Sequence, residues 1–267
     1  MFGKMAQKQR REQVGVLKRI GSNIPAMRPS RYRPPAWVEK VSIRSLIDGS
    51  PRSITKRGQL DLIENIIPHK QGDDASVFVA GDTSILKGRC IAVIGTRQIS
   101  SDGVSRAKRL ARELAESGIA VVSGLAHGVD THALESAMNS GGRVVAVIGT
   151  PMSQAYPASN SRLQEEIFQH HLLVSQFPEG MRVYPSNFPA RNRTMAFLSD
   201  ASVIIEASDS SGTLHQAAEC VRLGRWLCIA NSVVEDESLE WPKKFLTYEK
   251  CFVLKSTNEL ISAIYGD

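Results

Sequence analysis

From residue 76 onward the sequence alternates short, β-branched apolar runs with longer segments whose apolar residues recur every three or four positions. This alternation constrains the fold most, because strand, helix, strand in that order demands crossover connections and a parallel sheet. Strands are expected over 76–80, 91–94, 119–122, 143–148, 172–174, 202–205, 226–229 and 252–254. Most of these runs are continuously hydrophobic, the pattern of strands covered on both faces. Between them, Ser101 or Asp102 is placed to cap a helix that carries Val104, Ala107, Leu110, Ala111 and Leu114 and ends at Gly118. A second helix follows Asp130, with Ala133, Leu134, Ala137 and Met138 on one side, and a third runs from about 212 to 223 before Gly224. The expected architecture is α/β, a Rossmann-like, doubly wound, mostly parallel sheet over 76–267.

The chain before this pattern has a different character. Residues 1–35 hold nine Lys/Arg against one acid, Glu12, for a net +8, whereas the whole chain carries +6, so the remainder nets −2. The basic character therefore belongs to an N-terminal extension, 1–35, expected to be a flexible arm because four prolines interrupt any helix there. Such an arm serves either as extra phosphate affinity or as a solubilising leader. Over 36–75 a small helical element is expected, with Leu60, Leu62, Ile63, Ile66 and Ile67 at helical spacing. With 42% hydrophobic and 22% charged residues the chain is not disordered throughout. No apolar run approaches the roughly 18 residues of a membrane span, and no apolar segment follows residues 1–11, so neither an integral membrane protein nor a secretory signal is expected. The expected compartment is the cytoplasm. Cys90, Cys220, Cys228 and Cys251 form no C-x-x-C pair and read as buried free thiols.

In a doubly wound sheet, ligands bind beyond the carboxyl ends of the strands. Three of those ends carry turns rich in Gly, Ser, Thr and Ala: Gly95-Thr96-Arg97, Ser123-Gly124-Leu125-Ala126-His127-Gly128-Val129-Asp130, and Glu206 through Ser211-Gly212-Thr213. Small residues before a helix leave backbone N–H groups open, an arrangement that favours phosphate, although they also simply permit tight turns. Neither a G-x-G-x-x-G fingerprint nor a P-loop is present, and no nicotinamide, flavin or other cofactor is expected. The segment Asn187-Phe188-Pro189-Ala190-Arg191-Asn192-Arg193 adds two guanidinium groups and an aromatic ring, suited to phosphates and a stacked base. The same segment also reads as an ordinary helix start with Pro189 in its first turn.

Catalytic signals are few. There is no G-x-S-x-G elbow, and His127 and His132 have no carboxylate cluster to complete a metal site. Glu206 and Asp209 border the expected crevice, where a carboxylate acts as general acid or base or, more commonly, caps a turn. The expected catalytic and metal residues are none.

Taken in order, these motifs resemble the DNA-processing protein A (DprA/Smf) family. The residues that carry the resemblance are Val77-Phe78-Val79-Ala80-Gly81-Asp82, Ala92-Val93-Ile94-Gly95-Thr96-Arg97, the 123–130 turn, Ala146-Val147-Ile148-Gly149-Thr150, Tyr156-Pro157 with Asn160, the 187–193 segment and Ser211-Gly212-Thr213. The resemblance implies a homodimer that binds and protects single-stranded DNA and loads a RecA-type recombinase during DNA uptake or recombination. It also implies a DNA pocket lined by Arg97, Arg191 and Arg193, with Ser123 and Gly124 as backbone contacts. The candidate binding set is completed by Gly95, Thr96, Ala126, Gly128, Ser211, Gly212 and Thr213 as donors and by Asn187, Phe188 and Asn192.

His127 stands where the family commonly has an arginine, which lowers the positive charge near neutral pH. With so little sequence after the last strand, the winged-helix domain of many members is not expected, and a basic arm is expected in place of a clear helical N-terminal domain. A related group, the cytokinin-activating phosphoribohydrolases and nucleotide sensors, is the competing resemblance. There a glutamate follows the Gly-Thr pair where this chain has Gln216, and an amide serves neither as carboxylate base nor as charge stabiliser.

Overall fold

In a computed structural model the order of strands and helices follows the hydrophobic pattern. The structure describes residues 32–52 and 75–266. Nine strands form one sheet: β1 (Glu39–Ser42), β2 (Ser76–Gly81), β3 (Cys90–Ile94), β4 (Ala120–Ser123), β5 (Val144–Ile148), β6 (Leu172–Ser175), β7 (Ala201–Ile204), β8 (Trp226–Ala230) and β9 (Cys251–Leu254). Their spatial order is β1-β2-β6-β5-β4-β3-β7-β8-β9. From β6 to β9 every pairing is parallel, and β1 and β2 add an antiparallel edge. From β3 the chain steps outward through β4, β5 and β6, then returns to β3's other side with β7. The switch point therefore lies between β3 and β7, where Ile94 pairs with Ile204.

Helices cover both faces, in the order α1 (Ile43–Ile47), α2 (Ser101–Glu116), α3 (Val129–Asn139), α4 (Ser161–His170), α5 (Asn187–Phe197), α6 (Thr213–Arg222), α7 (Asn231–Val234), α8 (Trp241–Phe245) and α9 (Thr257–Tyr265). Alternation along each strand divides the core. Ile91 and Val93 of β3 face Ala107, Leu110 and Leu114 of α2, Leu134 of α3 and Ile167 of α4. Cys90, Ala92 and Ile94 join Phe197 of α5, Ala217 of α6 and Trp241 of α8. Continuous hydrophobic runs are thus required, since both faces of every central strand are buried.

All eight expected strands are present, with ends shifted by one residue at most. The cap of α2 is Ser100, one residue earlier than expected, whose Oγ accepts from the N–H of Gly103 at 3.0 Å. Within 36–75, β1 precedes the five-residue helix α1; four half-polar residues on a sheet edge carry too little pattern to announce a strand. The Leu60–Ile67 grouping lies outside the described residues, as does 1–31 of the basic extension. The chain is already fixed at Tyr32, whose hydroxyl donates to the Met152 carbonyl at 2.8 Å and accepts from the Gln164 amide at 2.7 Å. All four cysteines are free, and burial pushes the Cys90 thiol up to about 12.

At the amino ends of β3 and β7 an ion pair anchors the sheet. Asp200 Oδ2 accepts from Arg52 Nη1 at 2.9 Å, from the N–H of Cys90 at 2.8 Å and from the Tyr265 hydroxyl at 2.7 Å. Arg52 is 1% exposed, so each partner answers for the other's desolvation. This network lies at the sheet end opposite the switch-point crevice. Among the described residues no helix is long and apolar enough to cross a membrane.

Candidate nucleic-acid interface

At the switch point the turns after β3 and β7 are tied together, because the N–H of Thr96 donates to the Glu206 carbonyl at 2.7 Å. Above them a crevice of about 300 Å³ opens, lined by the 95–97 turn, the 208–213 loop and the first turns of α5. A second chamber of about 260 Å³ continues toward β4 and β5, lined by Gly124, Ala126, His127, Gly149 and 155–158. Arg97, Phe188 and Arg191 line both and form the ridge between them. On that ridge the Arg97 guanidinium lies 5.7 Å from the Phe188 ring centroid, and Tyr156 packs on Phe188 at 5.2 Å with a tilt of 45°. An exposed cation over an aromatic face can take a phosphate and a base side by side.

The glycines of these turns are there for close approach. A Cβ on Gly95 would fall 2.4 Å from Val129 Cγ2, one on Gly149 2.8 Å from the Phe188 ring, and one on Gly124 2.2 Å from Arg191 Nη1. Gly128 has φ +79° and its Cβ would lie 2.3 Å from the Thr96 carbonyl oxygen, so the β3 and β4 turns interlock at that residue. Gly128→Ala is therefore expected to destabilise the fold by at least about 2 kcal/mol, through strained backbone plus a backbone clash. Gly118→Ala, at φ +69° with open space around it, is the control and should cost about half as much. Urea midpoints of the two variants check the difference.

Several residues of the candidate set also hold the protein together. The carboxylate of Asp130, itself 5% exposed, accepts from the N–H of Gly124 at 3.1 Å and of Ala126 at 3.3 Å. The anion in the 123–130 turn is thus the chain's own. Burial pushes the Asp130 carboxyl above its ordinary range, and Arg191 pulls it back. Arg191, 5% exposed, donates from Nη1 to the carbonyls of Gly124 and Val147, and from Nε to Asn192 Oδ1 at 2.9 Å. Burial pulls this guanidinium below its ordinary value, with Asp130 opposing. Ser123 Oγ donates to the Val93 carbonyl at 2.7 Å, and Asn187 Nδ2 to the Gly149 carbonyl at 3.2 Å. Arg193 does not line either chamber; its Nε lies 3.6 Å from Glu219 on α6.

Of the candidate set, Gly95, Thr96, Arg97, Ala126, Phe188, Arg191, Asn192, Ser211, Gly212 and Thr213 line the crevice. Arg97 is its exposed cation, Phe188 its half-buried ring, and Ser211, Gly212 and Thr213 its helix entrance. Ser211 Oγ accepts from the N–H of Thr213 at 3.2 Å, while Gly212 has open space on its Cα, with Asn192 Nδ2 donating to its carbonyl at 3.3 Å. Gln216, fully buried at the base, donates to Ser202 Oγ at 2.9 Å and leaves Oε1 without a partner among the described residues. Tyr156 was part of a sequence motif without a role; its place beside Phe188 follows only from the fold.

The acidic candidates are caps. Glu206 accepts from Ser100 Oγ at 2.7 Å and from the Ser100 N–H at 3.2 Å, and Asp209 accepts from the N–H of Trp241 at 2.8 Å. No group of His, Cys, Asp and Glu among the described residues is arranged to hold a metal ion.

Comparison with known proteins agrees with this architecture. The family model described as DNA recombination-mediator protein A matches residues 67–264. The DNA processing protein DprA of Streptococcus pneumoniae is 37% identical over 149 residues, 56% of this chain and 52% of that protein. The chain thus spans about half the length of the curated relatives it matches first. An X-ray structure of DprA from Streptococcus pneumoniae superposes with a TM-score of 0.68 at 28% identity, covering 88% of this chain and 75% of that one. DprA from Helicobacter pylori, described for its single-stranded DNA binding mode, shares the fold with a TM-score of 0.67 at 23% identity over 86% and 96% of the two chains.

Proposed function

The chain belongs to the DNA recombination-mediator protein A family, and on that premise we propose that it binds single-stranded DNA in the switch-point crevice without chemically altering it. The observation that carries this reading is the ridge: Arg97 stands exposed over the Phe188 ring, in the same crevice as Gly212, which leaves open space at the start of α6. A phosphate is neutralised by Arg97 and received by the 211–213 entrance, while the adjoining base stacks on Phe188. Arg191, Asp130, Gly124, Ser123 and Asn187 shape this surface from behind. Arg193 contributes charge from outside the crevice. The neutral Gln216 at the base, and carboxylates engaged in caps or in the 123–130 turn, support binding over hydrolysis.

Strand protection, a homodimer, loading of a RecA-type recombinase and a role in DNA uptake or recombination in the cytoplasm belong to the same proposal and rest on the family alone. A second reading, a small-nucleotide sensor, is separated by the same measurement. Fluorescence anisotropy with labelled oligothymidylate should show single-strand binding that a mononucleotide displaces only weakly. If four to six phosphates are contacted, log K should fall against log salt with a slope of about −3 to −4, at about −0.7 per contact. A flat salt dependence with tight mononucleotide competition would sink the DNA reading in favour of the sensor.

A further inference from the structure

A separate cavity of about 240 Å³ opens at the carboxyl ends of β7, β8 and β9, on the same edge of the sheet as the crevice. Arg106 and Arg109 reach it from α2, and Lys255 from the loop between β9 and α9, so three cations from two distant parts of the chain converge. Arg109 and Lys255 are exposed; Arg106 is half-buried, with Nη2 3.7 Å from Glu206 and a buried Nε that has no hydrogen-bond partner among the described residues. Ser256 and Thr257, the cap and first residue of the nine-residue α9, add the positive end of a helix. Three carboxylates stand against this charge. Glu235 lines the cavity, while Glu206, behind Arg106, is engaged by Ser100, and Glu113 by the Thr257 hydroxyl. Of the three, Glu235 alone is named in the lining, so the cavity wall itself carries more cations than carboxylates.

The lining residues include no aromatic ring, so the cavity is built for a backbone group and not for a base. It is also close to the crevice. Ile205 lines this cavity and Ser208 lines the crevice, three residues apart on one loop, a Cα separation of about 11 Å at most. We propose that Arg106, Arg109 and Lys255 form a second phosphate subsite, which receives a phosphodiester of the same strand whose base and phosphate occupy the crevice. The inference rests on the single-strand reading above and adds a direction to it: the strand leaves the Arg97 ridge over β7 toward β9.

The test is a length series on the full chain and on its R109Q/K255Q variant, with folding checked by thermal melts. A dinucleotide, with a single internal phosphodiester, fills the crevice alone, whereas an oligothymidylate of about 16 reaches both sites. The variant should bind the short strand as the wild type does, bind the long strand about tenfold more weakly, and lose about 0.7 from the long strand's salt slope. Equal losses on both lengths, or none on either, overturn the second subsite while leaving the crevice reading intact. A wild-type chain that binds neither length overturns the single-strand reading and this inference with it. Inorganic phosphate tests the other source. If it raises the melting temperature of the wild type but not of the variant, with strand binding equal in both, the cavity serves a free phosphate and the strand path is wrong.

Discussion

Arg97→Ala is expected to weaken binding of a labelled oligothymidylate by about a hundredfold while moving the melting temperature by no more than about 1–2 °C. Two contributions make up the loss. A hydrogen bond to a charged phosphate is worth about 1.5–3 kcal/mol. The guanidinium also backs the Phe188 ring at 5.7 Å, and a stacked base depends on that ring for about 1–3 kcal/mol. The two share a partner and do not add in full, so about 2–3 kcal/mol is the expected sum. Stability changes little because Arg97 is exposed, and an exposed cation–π contact contributes about 0.5–1 kcal/mol. Arg97→Lys should recover part of the affinity, since a point charge still meets a phosphate but does not lie flat on the ring. Anisotropy titrations beside thermal melts decide the matter; a variant that keeps full affinity removes the ridge from the binding site.

The strands and the parallel character of the sheet were legible because both are recorded locally, whereas the switch point between β3 and β7 follows only from the spatial order of the strands. Continuous apolar runs mark strands buried on both faces, and the helical period between them marks the crossovers. Eight strands follow from that pattern alone. β1 does not, because a four-residue edge strand with two exposed positions has no period to read.

The candidate site was legible only as a set of turns. Which N–H groups in those turns stay open depends on where a side chain folds back. The Asp130 carboxylate closes on the N–H groups of Gly124 and Ala126, so a turn that reads as anion-ready holds its own anion. In the same way Arg97, Arg191 and Arg193 look equivalent in sequence. The fold leaves the first in the crevice, buries the second against two carbonyls and turns the third to Glu219. Composition cannot separate these three fates, because each is set by a contact more than 20 residues away in sequence.

That separation gives the largest expected effect on stability. Arg191→Met should lower stability by about 3–5 kcal/mol, because it leaves the buried Asp130 carboxylate without the cation that offsets its desolvation. It also strands the carbonyls of Gly124 and Val147, which accept from Arg191 Nη1. For a domain of this size the melting temperature should fall by roughly 10 °C. The cause can be isolated by adding Asp130→Asn. The asparagine Oδ1 still accepts from Gly124 and Ala126, so the turn survives, but no buried charge remains. The double variant should therefore be more stable than Arg191→Met by about 1–2 kcal/mol, a coupling of the size found for residues in one hydrogen-bond network, here joined through Gly124. A double variant less stable than Arg191→Met would mean that the carbonyl contacts, not the charge balance, fix Arg191 in place. Single-strand affinity supplies the second coordinate. If Arg191 shapes the ridge from behind, the double variant should regain stability without regaining binding, because the guanidinium under Gly124 and beside Phe188 is still missing.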